Sequence, residues 1–590
     1  MQLKDYQRKV LDNLCSFIEY ASHSELKTAY RKVWEDNNVL VGEGHFLKEY
    51  QNDKLVGVPN VCLKVPTGGG KTFLACSAIK PILGSLANHP VKAVVWLVPS
   101  EPIMTQTLKN LQDIHHDYRR KIDNDFAGKV QVYSKEDALF GKGFNAVAVQ
   151  GQLSIFVLSY DSFRRKNKNG TENKEGLKAY RDNSYLSSFK DNSVFEGYKV
   201  RYQEDEGEFC LNAILRSFNP VVVVDESHHA DTPLSVEMVK NFNPSFVLEL
   251  TATPKDASNI ISIVTAAELK REHMVKLPVL LVNRQDKKQV LNSAIDMQKK
   301  LEGYANEEEN YIRPIVLVQA ESRTAEDNTT FDKIKEYLQR RGIPKEQIAI
   351  KTAEINELRD VELLSENCPI RYIITVNALK EGWDCPFAYV LATVANRNSV
   401  TDVEQIMGRV LRLPYTMEHN SQFLNMSYVI TSSADFSQTA ERVAKGLNSA
   451  GFSKKEFRVA NYNEPPREHI MQDIFAPQNV ENTSSESDAE EDDLLTYEEN
   501  DNVQEESNGN DSVDNLFEEL EKQQASSGTE TGRNPISSAI DLSSLTDLNN
   551  EIIGWIVIED NLSLNWIRRL MKVFRFQIMF RNSTELAVSD

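Results

Sequence analysis

The sequence predicts an α/β protein of two tandem parallel-sheet lobes, and three observations carry that expectation. Short apolar runs alternate with amphipathic stretches in two successive series, a glycine-rich turn follows one run, and an acidic pair closes another. The first series is Val61–Val65, Ala93–Val98, Ile155–Leu158, Val221–Val224 and Phe246–Leu248. These runs are rich in β-branched residues and lack strict polar alternation, as suits parallel strands buried on both faces. The second series is Pro314–Val318, Ile348–Ile350, Arg371–Thr375 and Tyr389–Ala392, and a less regular stretch near 265–310 joins the two.

A chain of 590 residues exceeds a single hydrophobic core, so further units are expected around the lobes. The boundaries read as lobe 1 over 1–275, an interlobe connector over 276–310 and lobe 2 over 311–435. A helical extension over 436–477 follows, with its helix at Ala434–Asn448 ended by Gly451. An acidic, Ser/Asn-rich linker over 478–532 is too polar to bury a core and is expected to be disordered. Residues 533–590 regain periodicity as a small C-terminal segment or the start of a further domain. Within lobe 1, the polar stretch 164–208 reads as a surface insertion; a DNA-contacting loop or partner site is the alternative, which Arg164, Arg165, Lys166 and Lys168 keep open.

The net charge of -20 argues against a nucleic-acid partner only until it is located. Residues 481–530 hold eighteen Asp and Glu against the single Lys522, which is -17, so the rest of the chain carries -3. A near-neutral body can track phosphates through a local basic groove. The acidic stretch itself reads as a linker, with an autoinhibitory phosphate mimic as the alternative. No run reaches about eighteen apolar residues, so no membrane span is expected. The opening MQLKDYQRKV lacks the apolar region of a signal peptide, which points to the cytoplasm. The six cysteines (Cys15, Cys62, Cys76, Cys210, Cys368 and Cys385) lack metal-ligand spacing and read as buried thiols.

The sharpest local signal is Pro66-Thr67-Gly68-Gly69-Gly70-Lys71-Thr72 directly after the first strand. Glycines let successive N–H groups curl toward a phosphate while the next helix presents its N-terminus. Lys71 would reach the β/γ-phosphates of ATP, and the Thr72 hydroxyl would ligate Mg²⁺. The strict phosphate-loop pattern is not met, because Val65 stands where its first glycine belongs. The complementary carboxylates come from Asp225-Glu226 at the end of Val221–Val224: Asp225 for the metal's hydration shell, Glu226 for the attacking water. His228 and His229 lack metal spacing and read as coupling or structural residues.

Those two elements alone would also fit kinases, transport ATPases or GTPases. Thr251-Ala252-Thr253-Pro254 adds hydroxyls within reach of the Asp225 region, and Asn377–Asp384 follows a second-lobe strand. Thr401–Arg412 reads as a helix carrying Gln405, Arg409 and Arg412 on related faces. Paired arginines on a helix are often a solvated surface. Gly408, which weakens the helix and permits close approach, favours guanidinium groups that complete a site across the lobes.

In this order the segments resemble superfamily 2 helicases, and most closely the restriction (Res) subunit of type III restriction–modification enzymes. The likeness covers about residues 1–435 and rests on the phosphate loop, Asp225-Glu226-Ser227-His228, Thr251–Pro254, Glu381–Pro386 and Asp402–Arg412. It implies two RecA-like P-loop lobes and an ATP hydrolase that moves on double-stranded DNA in a restriction or anti-phage system. It further implies Gln7 of Leu3–Gln7 as an adenine contact and Lys71, Thr72, Asp225 and Glu226 as the hydrolytic core. His228, Thr251 and Thr253 become couplers, Gly382 and Asp384 second-lobe sensors, and Arg409 and Arg412 the completing arginines, with Gln405 beside the nucleotide. Pro99, Ser100, Ser159 and Tyr160 become strand contacts. After residue 435 no strand-borne carboxylate pair with a following E-x-K is legible. The chain therefore reads as a motor without a nuclease, working with a separate nuclease or methyltransferase subunit, or else truncated or diverged. An RNA-dependent ATPase and an ATP-driven switch or scaffold are the alternatives.

Overall fold

The computed structural model describes residues 2–37, 49–51, 55–86, 91–165, 171–190, 207, 209–226, 233–255, 257–277, 279–284, 286–321, 330–352, 354–359, 361–376, 385–394, 410–432, 447, 457–459 and 552–558. All five runs of the first series are strands of one parallel sheet. It comprises β1 (Asn60–Lys64), β2 (Lys92–Val98), β3 (Val130–Tyr133), β4 (Leu153–Ser159), β5 (Val221–Asp225), β6 (Phe246–Thr251) and β7 (Ile260–Ile263), in the order β3-β4-β2-β5-β6-β1-β7. The four runs of the second series are β9 (Ile315–Gln319), β10 (Ile348–Lys351), β11 (Tyr372–Thr375) and β12 (Ala388–Thr393) of a second sheet. With β8 (Val279–Arg284) and β13 (Ser427–Ser432) they pair in parallel as β10-β11-β9-β12-β13-β8.

Two placements differ from expectation. Residues 279–284, assigned to a connector, form β8 and pair along their whole length with β13. The helix Lys287–Ala305, also assigned to the connector, packs on β12 and β13. At the same edge, β15 (Ile552–Ile558) pairs antiparallel with β8, and β14 (Phe457–Val459) pairs antiparallel with β15. Chain from beyond the acidic stretch therefore extends the second sheet. The acidic linker 478–532 and most of the expected helix 434–448 lie outside the described residues.

Helices cover the first sheet. Helix α1 (Asp5–His23) buries Tyr6, Val10, Leu14 and Phe17, the i, i+3, i+4 stripe of an amphipathic helix. It packs on α2 (Leu26–Asp36), β7 and α3 (Lys71–Ser85). Helix α3 buries every residue from Phe73 to Ile79, so it is a core element apolar around most of its surface. Each large side chain of this kind contributes about 1.5–3 kcal/mol by leaving water. Because all seven strands point one way, the segments after β1, β2, β4, β5 and β6 emerge at one edge of the sheet. Five cysteines are buried as expected, whereas Cys15 is exposed on α1. No described helix is long and apolar enough to cross a membrane.

Candidate nucleotide site

The glycine-rich loop closes tightly between β1 and α3. The Gly69 N–H donates to the Pro66 carbonyl at 3.0 Å, and Gly68 and Gly70 take φ of +86° and +70°, a region that favours glycine. Gly69 lacks a Cβ for another reason: one placed there would lie 2.6 Å from Val65 Cγ1. The departure at Val65 thus fits the loop, since the valine side chain fills the space that a residue at 69 would need. Gly70 caps α3, so the helix N-terminus opens onto the loop. Thr67 and Thr72 are half-buried on either side of the glycines.

Across from the loop, parallel pairing of β5 with β6 aligns Asp225 with Leu250, one residue before Thr251. Lys71 Nζ lies 2.9 Å from Glu226 Oε1, with the lysine side chain only 10% exposed and the carboxylate 24%. Glu226 is held at φ +51°, a left-handed conformation that costs a non-glycine residue about 1–2 kcal/mol and is found where a site fixes its geometry. Asp225 is buried, and no hydrogen-bond partner reaches its Oδ1 among the described residues. Burial first, then the neighbouring Glu226 charge, pushes its carboxyl up to about 7, against the opposing pull of Lys71. Thr251 is fully buried, and its Oγ1 accepts from the Thr253 N–H at 3.2 Å, fixing the turn after β6.

Two distant segments close on the same loop. Gln7 is buried; its Oε1 accepts from the Lys4 N–H at 3.0 Å, and its Nε2 lies 3.4 Å from the Gly69 carbonyl. A Cβ on Gly70 would meet that Nε2 at 2.6 Å. From the far side, a Cβ on Gly68 would lie 3.6 Å from Arg412 Cγ and 3.2 Å from Val275 Cγ1. Val275 and Arg412 form an antiparallel bridge, flanked by Lys276 N–H to Leu411 O at 2.5 Å and Leu413 N–H to Met274 O at 3.1 Å. The structure therefore brings together Gln7, the loop, Lys71, Asp225, Glu226 and Arg412. Gly382, Asp384, Gln405, Arg409 and His228 lie outside the described residues.

The expected strand contacts are placed less simply. Pro99 and Ser100 are half-buried after β2, where Ser100 stands at the N-cap of helix α4 (Glu101–Gln112) and its Oγ has no partner among the described residues. Ser159 and Tyr160 are buried rather than exposed, and Ser159 is bonded within its turn to Ser162 Oγ at 2.9 Å. Among the described residues no hydrogen-bond partner reaches the Tyr160 hydroxyl; burial, followed by the charges of Glu249, Asp225 and Glu226, pushes its pKa far up. Two contributors gave no sequence signal of their own. Tyr6 donates its hydroxyl to the Gly69 carbonyl at 2.9 Å, and the 274–276 segment walls the loop. Tyr6 adjoins Gln7 and was findable through it; nothing in the text of 274–276 marks it.

Among the described residues, no group of three or more His, Cys, Asp or Glu side chains could hold a metal on its own. A glycine-rich loop, a lysine paired with one of two adjacent carboxylates, and an arginine from a distant segment thus lie together at one edge of the first sheet. Residues 1–256 match the family model described as the Type III restriction enzyme, res subunit, so over this segment the chain is related to that subunit. No curated protein matches the chain. Among solved structures it is similar to the ATP-dependent type ISP restriction-modification enzyme LlaBIII bound to DNA, with 12% identity, a TM-score of 0.41 and coverage of 76% of this chain and 30% of that one. It is also similar to the Mycobacterium smegmatis helicase Lhr bound to ssDNA and AMP-PNP, at 14% identity and a TM-score of 0.36, covering 75% of this chain and 50% of that one. A third, Mss116p bound to ssRNA and AMP-PNP, has 13% identity and a TM-score of 0.37, covering 72% of this chain and 75% of that one. The chain thus spans 30% of the type ISP enzyme's length. The three nucleic acids differ, and none is carried over to this chain at this level of likeness.

Proposed function

We propose that this chain is an ATP-dependent DNA motor, a helicase or translocase that couples hydrolysis to movement on double-stranded DNA. The observation that carries the reading is Arg412, more than 300 residues from the phosphate loop in sequence, whose Cγ lies against Gly68 of the loop that leads into Lys71. A guanidinium brought from the second half of the chain to a phosphate loop is what a site made and broken by lobe movement requires.

The residues present fit a magnesium nucleotide. Loop N–H groups and the α3 N-terminus favour phosphate, and Asp225 is a buried acid whose Oδ1 has no partner among the described residues. When bound, Mg²⁺ would neutralise charge on the β/γ-phosphate oxygens, held through Thr72 and Asp225. Lys71, parked on Glu226 in this state, is the cation that turns to phosphate. Glu226, freed of the ammonium, accepts the proton of the attacking water. Arg412 stabilises the charge that develops on transfer, with Arg409 as its second arginine. Gln7 reads the adenine, with Gly382, Asp384 and Gln405 completing the second-lobe side. Thr251, Thr253 and His228 pass the nucleotide state to the strand-contacting segment at Pro99 and Ser100, with the buried Ser159 and Tyr160 as part of its support. We further propose two RecA-like lobes, and a methyltransferase or nuclease partner subunit within a restriction or anti-phage system.

The test is ATPase stimulation by double-stranded DNA, single-stranded DNA and RNA, titrated at fixed salt. Double-stranded DNA should stimulate most. Greater stimulation by RNA would overturn the DNA assignment, and no stimulation by any of the three would favour an ATP-driven switch.

A further inference from the structure

We infer that Lys276 is a positioning residue of the hydrolytic site, holding Arg412 over the phosphate loop and tying that placement to the segment after Glu381–Asp384. The inference rests on the proposed nucleotide site. Lys276 is fully buried. Its Nζ donates to the carbonyls of Pro386 at 2.8 Å and Ala388 at 2.6 Å, and lies 4.0 Å from the centroid of the Tyr389 ring. Its backbone N–H donates to Leu411 O at 2.5 Å, and its carbonyl lies 3.2 Å from Ser427 Oγ. The same hydroxyl lies 3.3 Å from Val410 O. One residue therefore joins three segments: 386–388, which follows the second-lobe sensor residues in sequence, 410–412, which carries the arginine, and the start of β13. Its neighbour Val275 bridges Arg412 and faces Gly68.

A lysine is an expensive way to fill a core. A desolvated ammonium is tolerated only while its donors are satisfied, whereas an apolar side chain of similar length would pack without that demand. The charge instead enforces register: if 386–388 moves away from 276, the ammonium loses its carbonyls, and this cost opposes independent movement. Displacement of the 386–388 segment is thereby coupled to residues 275 and 412 at the loop. The backbone bonds fix where Arg412 Cα sits, and the ammonium fixes what moves with it.

The experiment compares the full chain with Lys276→Met, Arg412→Ala and the double variant, measuring kcat and KM for ATP and the thermal midpoint. Lys276→Met should lower kcat about tenfold or more while KM changes less than about threefold. In the Arg412→Ala background it should lower kcat no further, because a residue acting through Arg412 has nothing left to position. An equal further loss in that background overturns the inference. So does a lowered midpoint with unchanged turnover per folded molecule. If Lys276→Met does not fold, Ser427→Ala replaces it, removing the hydroxyl shared by Lys276 O and Val410 O. Reduced turnover that vanishes in the Arg412→Ala background supports the role, and wild-type turnover overturns it. A wild-type chain without ATPase activity overturns the nucleotide site itself and the inference with it, a result distinct from active wild type beside an unaffected variant.

Discussion

Substituting Gly69→Ala perturbs the phosphate loop by steric contact alone, since Gly69, unlike its neighbours, does not occupy the positive-φ region. The added methyl would lie 2.6 Å from Val65 Cγ1, 3.0 Å from the Pro66 carbonyl and 3.3 Å from Leu269 Cδ2. The first contact is about an ångström inside the optimal carbon–carbon separation. Val65 is fully buried and has no open space to move into, so the loop must yield. Overpacking of this kind costs about 1–3 kcal/mol. If the cost falls on the loop's phosphate-binding form, affinity for a non-hydrolysable ATP analogue drops roughly 5- to 150-fold. Val65→Ala removes both γ-methyls and with them the closest contact. The Val65→Ala/Gly69→Ala double variant should therefore bind the analogue about tenfold or more tightly than Gly69→Ala alone, a coupling of about 1.4 kcal/mol or more. Calorimetric or fluorescence titration of the four proteins measures this cycle. Additive effects, or a double variant no better than Gly69→Ala, would refute the packing explanation for Val65 in the first glycine position.

Other outcomes follow from the same site. Lys71→Ala and Glu226→Gln should both abolish hydrolysis, but only Glu226→Gln should keep analogue affinity near wild type. Equal loss of affinity in both would remove Glu226 from the water-activating role. Arg412→Ala should lower kcat by about 10³-fold or more with far less effect on analogue affinity, because its charge acts on the developing transition state; near-normal turnover would remove it from the site. The Asp225 carboxyl, at about 7 in the folded chain against an ordinary 3.8, holds its proton more tightly when folded. Its contribution to stability is thus full below pH about 4 and is lost as pH rises through about 7. Asp225→Asn should flatten that part of the stability–pH profile measured without nucleotide, and an unchanged profile would count against the perturbed carboxyl.

Much of this was legible in the sequence because it is local. A buried parallel strand needs a run of β-branched residues, so both strand series could be read directly. A phosphate loop needs consecutive glycines before a helix, so Gly68–Lys71 could be placed without coordinates. The elements missed were short or shared. β3 and β7 are four residues each. β8 is apolar enough to read as a strand, but membership of the second sheet is set by its pairing with β13, nearly 150 residues away.

The sequence by itself therefore determined the candidate groups at the glycine-rich loop: which glycines, which lysine, which two carboxylates, and that a valine breaks the usual phosphate-loop pattern. Only the tertiary structure decided why that valine is accommodated, by placing its Cγ1 where a side chain at 69 would go. It also decided that Tyr160 is buried near acids, and that the 274–276 and 410–412 segments close over the loop. The physical reason is one of range. Backbone preference and hydrophobic periodicity act over a few residues and leave their mark in the text. Contacts such as Gly68 with Arg412, or Lys276 with Pro386 and Ala388, arise from packing between segments far apart in the chain.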